Sequence, residues 1–102
     1  MPCLAIFIKL YYLIILIGFF HVHKKLIFEY NGSHVHANPN WSKDKLDSWR
    51  HAFSRENAYV NIKNFNKKIK AAENRGFKVF VIWDEDPNPE KTIESILKKE
   101  KC

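Results

Sequence analysis

A chain of 102 residues carries one domain, with a core near the lower limit of what folds unaided. Its 17 Lys and Arg outnumber 11 Asp and Glu, for a formal net charge of +6 with the five histidines neutral, a balance that favours polyanionic partners such as nucleic acid or anionic lipid. Cys3 and Cys102 stand at opposite ends without a spacing partner, which argues against a disulfide framework or a thiolate zinc site and fits a reducing compartment. The sequence holds no Gly-rich phosphate loop, Ser-centred elbow or internal repeat.

Residues 1–20 form an apolar segment, and the run 4–20 contains a single charge, Lys9. Two readings stay open. The run is short for a membrane helix, which wants about 20 apolar residues, but Lys9 can snorkel and Lys24 and Lys25 can anchor its far end. Alternatively, Ile, Tyr, Phe and Leu make a buried strand over 11–18, with His21-Val22-His23 as the connection of a hairpin. A secretion signal is the weakest reading, because its basic residue falls inside the apolar run and no small-x-small cleavage site follows.

From residue 21 to 102 the pattern is that of a soluble α/β domain. Lys25-Leu26-Ile27-Phe28-Glu29-Tyr30 reads as a strand left through the turn Asn31-Gly32. Residues 31–41, with His34, His36, three asparagines and Pro39, read as a loop of the kind that carries function. Ser42 caps a helix predicted to about residue 55, with Leu46, Trp49 and Phe53 as its apolar stripe. Asn61 caps a second helix, in which Ile62, Phe65, Ile69 and Ala72 recur every three or four residues and Gly76 closes the end. Residues 77–83 are the strongest strand. Strand, helix, glycine and strand make a crossover unit, which sets this strand parallel to 25–30. Asn88 and Pro89 open a last helix with Ile93, Ile96 and Leu97 facing inward.

Three groups invite chemistry. A carboxylate at Glu29, at the end of an apolar strand, must be solvated at the sheet edge, paired with a cation or bound to a metal. His34 and His36, two apart on an extended segment, share a face and can ligate an ion or move a proton. Asp84-Glu85-Asp86 follows the second strand and, with parallel strands, reaches the same edge as Glu29, making an oxygen-rich place for magnesium and a phosphate. An acidic helix N-terminus favoured by the helix dipole is the plainer alternative for that cluster. Lys63, Lys67 and Arg50, with Lys68, Lys70 and Arg55, form a basic surface able to track phosphates. Trp41, Trp49 and Trp83 read as packing residues.

The order Phe28-Glu29-Tyr30-Asn31-Gly32, then His36-Ala37-Asn38-Pro39, then Gly76-Phe77 and Val81-Ile82-Trp83-Asp84 resembles the very-short-patch-repair endonuclease-like branch of the PD-(D/E)xK nuclease superfamily, over residues 18–97. The resemblance implies a restriction-endonuclease-like small mixed sheet flanked by helices, with an incomplete or altered N-terminal part. It also implies DNA as partner and Mg2+, or Mn2+, for phosphodiester hydrolysis in a cytoplasmic or nuclear setting, including that of a virus-infected host cell. Within it, Glu29 and Asp84 take the place of metal carboxylates, His36 that of the loop histidine, and Asn31 a position often held by lysine or histidine. The chain departs from the pattern at Ile17, where a metal-binding aspartate is expected, and at Val35, where the loop tryptophan is expected. Losing that aspartate removes the ligand that fixes the ion against the scissile phosphate. Three functions therefore stand side by side: a metal-dependent DNA endonuclease, a non-catalytic nucleic-acid-binding remnant of the same fold, and a membrane-anchored interaction protein held through residues 4–20.

Overall fold

The computed structural model describes residues 19–22 and 26–100. Three strands, β1 (Phe19–Val22), β2 (Leu26–Asn31) and β3 (Lys78–Trp83), form a sheet in the order β1-β2-β3. β1 runs antiparallel to β2, and β2 parallel to β3 in a register that sets Glu29 beside Val81 and Asn31 beside Trp83. The helices are α1 (Lys43–Ser48), α2 (Ala58–Asn74) and α3 (Pro89–Lys99), so the domain is a small mixed α/β fold.

Alternation along β2 explains the layering. Leu26 and Phe28 point to one face and pack with Ile82, Ile93 and Leu97, so α3 covers that side, with Tyr30, Phe80 and Ile96 around the core. The rings of Phe28 and Phe80 stack at 5.6 Å between centroids. Ile27 and Glu29 point the other way, toward Lys68, Ile69 and Ala72 of α2. Alternation puts Asn31 on this second face too.

Each helix starts where a side chain replaces the missing backbone acceptors. Ser42, Asn57 and Asn88 accept from the N–H groups of Lys45, Val60 and Lys91. α2 stops at Gly76, whose φ of 90° suits the paired bonds from Gly76 and Phe77 to the carbonyls of Glu73 and Ala72.

Several expectations need correction. The helix predicted over 42–55 ends at Ser48, because Trp49 turns to extended backbone and its indole N–H donates to the Ser33 carbonyl at 2.7 Å. A tertiary bond overrides the apolar spacing here, and Phe53 lies in solvent at 80% exposure. The cap of α2 is Asn57, not Asn61. His21 and Val22 belong to β1 rather than to a hairpin connection, while the strand expected over 11–18 lies outside the described residues. The membrane reading of 4–20 fails as one helix, since Phe19 and Phe20 pair in the sheet with Glu29 and Phe28. Among the described residues no helix is long and apolar enough to cross a membrane.

Candidate functional site

The parallel pairing of β2 and β3 delivers two loops to one sheet edge, residues 32–42 after β2 and 84–88 after β3. The Asp84 N–H extends the pairing by donating to the Asn31 carbonyl at 3.0 Å. Its carboxylate then accepts from both the N–H (2.9 Å) and the hydroxyl (3.0 Å) of Ser33. Glu85 accepts from the Trp41 indole at 2.9 Å and from Asn38, and pairs with Lys45, whose ammonium also lies over the Trp41 ring. Asp86 accepts from the Asn88 N–H and from the Thr92 hydroxyl at the start of α3. The acidic run is thus three separate latches, each carboxylate held by a different donor.

Glu29 takes the second of its three options. Its side chain is 9% exposed, and Oε1 lies 3.1 Å from the Lys68 ammonium, which reaches down from α2 and stays 65% exposed. Beside this pair, His36 sets its ring edge-on to Phe65 at 5.5 Å. Burial lowers the His36 pKa from its ordinary 6.5; the Glu29 charge opposes that shift and the Lys68 charge adds to it. Nδ1 of His36 is buried with no well-formed hydrogen bond among the described residues, the Gly32 backbone being its one weak contact. Both amide atoms of Asn31, whose side chain has no exposure at all, are without a partner among the described residues. Such orphans cost about 1–3 kcal/mol each and are rare in native proteins.

The chain turns over residues 33–35, with Val35 and His36 both donating to the Gly32 carbonyl, so His34 and His36 do not share a face. His34 goes to the Phe53 ring and His36 to α2. A Cβ at Gly32 would come within 2.7 Å of the His34 ring, so a larger residue there would have to push that imidazole aside.

Between this loop and α2 opens a hollow of about 510 Å³, lined by His36, His51, Glu56, Asn61, Asn64 and Lys68 among others. Asn61 clamps the loop from the first turns of α2, accepting from the Ala37 N–H and donating to the Val35 carbonyl. Sequence reasoning missed three of these roles. Lys68 belongs with its neighbours Lys67 and Lys70 by composition, and only its place four residues before Ala72 and one before Ile69, both sheet-facing, signals that it can turn inward. Asn61 reads as a cap rather than a clamp, and His51 carried no signal because its partners are backbone groups: Nδ1 of His51 accepts from the N–H groups of Phe53 and Ser54.

The metal expectation finds no support among the described residues. Glu29 is paired with Lys68, Asp84 is taken by Ser33, and Ile17 offers no oxygen. Among the described residues no three His, Cys, Asp or Glu side chains gather to hold an ion. The described residues therefore do not gather the several oxygen ligands that Mg2+ or Mn2+ take.

The basic surface divides as well. Lys63, Lys67 and Lys70 lie along one exposed side of α2 with Tyr59 and Asn66, around a shallow groove of about 470 Å³. None of the three forms an ion pair with a described residue. Arg50 instead folds one guanidinium nitrogen back onto the carbonyls of Asp47 and Trp49, closing the end of α1. Comparison with protein-family models, with curated proteins and with solved structures finds no match for this chain.

Proposed function

We propose that the domain binds nucleic acid through its phosphate backbone without hydrolysing it, as a non-catalytic module of nuclease-like ancestry. The observation that carries this reading is the stripe Lys63, Lys67 and Lys70, three exposed cations on one helix face with no acid engaging them among the described residues. At 1.5 Å of rise per residue the stripe is about 10 Å long, which matches about three nucleotide steps along a strand. The fourth lysine of the group, Lys68, neutralises Glu29 and keeps a buried carboxylate from repelling a phosphate nearby.

Fluorescence anisotropy with a labelled DNA duplex tests the reading. Affinity should fall steeply with salt, and replacing all three lysines by alanine should flatten the slope of log affinity against log salt by about 3. Unchanged slope in the triple variant would sink the proposal, as would duplex cleavage that Glu29→Ala abolishes.

A further inference from the structure

The loop between α1 and α2 presents an aromatic side chain to solvent on a stiff frame. Phe53 is 80% exposed, the most open large apolar residue described. The frame beneath it is tied at every step. Backbone pairing joins Arg50 to Asn57, the His51 N–H donates to the Glu56 carbonyl, the Arg55 N–H donates back to the His51 carbonyl, and Ala52 donates to the His34 carbonyl at 2.8 Å. The His51 ring accepts from Phe53 and Ser54 at 3.0 Å each, fixing the backbone directly under the phenyl group. Arg55 completes the reversal in the left-handed region at φ 64°, a conformation that non-glycine residues adopt rarely. Imidazoles of His34 and His51 flank the ring edge-on at 6.5 and 5.9 Å.

An exposed phenyl group on a mobile loop would carry little meaning. Held rigidly, it loses little conformational entropy when a flat partner covers it. The run Arg50-His51-Ala52-Phe53-Ser54-Arg55 contains no acid, and Arg55 forms no ion pair with a described residue. The loop also leads directly into α2, the helix that bears the lysine stripe. A flat apolar face two residues from an arginine suits a nucleobase attached to its phosphate, because every base offers a π-face and every linkage a negative charge.

From this geometry we infer that Phe53 is a stacking platform for an unpaired nucleobase, DNA or RNA, with Arg55 beside it on the adjoining phosphate. The inference rests on the nucleic-acid reading above and sharpens it: the module prefers single-stranded or opened sites, since a base inside a duplex cannot reach the ring.

The test compares the full chain with Phe53→Ala and Phe53→Trp against labelled oligo(dU), oligo(rU) and a duplex of equal length. Phe53→Ala should weaken binding to the single strands about tenfold while leaving duplex affinity and its salt slope unchanged. Phe53→Trp should restore the affinity, and its added indole fluorescence should be quenched by the bound oligonucleotide. The tighter of the two single strands identifies the natural sugar. Single-strand affinities unaltered by Phe53→Ala overturn the platform and leave the backbone reading standing. Loss of a concentration-dependent dimer in Phe53→Ala, with oligonucleotide affinity unaltered, also overturns it and makes a second copy of the chain the occupant. No salt-dependent binding to any of the three probes overturns both readings together.

Discussion

The two faces of β2 are built to opposite rules. Toward α3 the strand shows Leu26 and Phe28, both closed to solvent among Ile82, Ile93 and Leu97. Toward α2 it shows Ile27, a carboxylate at Glu29 and, by alternation, the amide of Asn31, with His36 close by. Apolar burial on the first face stabilises by about 25 cal/mol per Å². The second face buries groups that water would have solvated, with one ion pair and several empty bonding positions in return. The fully buried apolar cluster therefore lies on one side of a single strand, and the polar groups on the other.

Breaking the apolar face should have the largest effect. Phe28→Ala removes a fully buried ring stacked on Phe80 and should cost about 3–5 kcal/mol, read as a lower urea midpoint; in a domain of this size that is a large part of the total. On the polar face, Lys68→Ala leaves the Glu29 carboxylate buried without its cation. Because the lysine is mostly exposed, the loss should be nearer about 1–2 kcal/mol than that of a fully buried pair, and a larger loss would show that Lys68 also packs.

A third substitution should run in the opposite direction. Asn31→Leu keeps much of the volume and removes two unpartnered polar atoms, so the melting temperature should rise by the equivalent of about 1 kcal/mol. A fall instead would show that the amide is satisfied in solution. The smallest effect concerns pH. Burial lowers the His36 pKa in the folded state, so on acidification the unfolded chain takes up the proton first. The contribution is present in full above the unfolded value of about 6.5 and is lost as pH falls through the lower folded one. Melting curves between neutrality and about pH 5 should show that decline, and His36→Gln should flatten it.

Local rules in the sequence carried the scaffold. The parallel pairing of β2 with β3, the glycine stop at Gly76 and the Asn88-Pro89 helix start all follow from apolar runs, turn chemistry and capping, which act over a few residues. The site was less legible because its decisive contacts are distant. Trp49 reads as part of a helical stripe until the Ser33 carbonyl is seen to hold its indole. Asp84 reads as a ligand until Ser33 is found on it, and Lys68 reads as a phosphate contact until Glu29 is found beneath it. Residue type announced charge and acid–base capacity; only three-dimensional proximity revealed that those capacities were already spoken for.

The Ser33–Asp84 latch joins residues 51 positions apart, across the same parallel seam that closes the core. During synthesis Ser33 therefore emerges long before Asp84, and this latch stays open until β3 has left the ribosome, although Trp49, Ala52 and Asn61 can hold the loop sooner. Closure of this latch and completion of the sheet become one event, timed by the slow closure of a long chain segment rather than by the quick winding of α2.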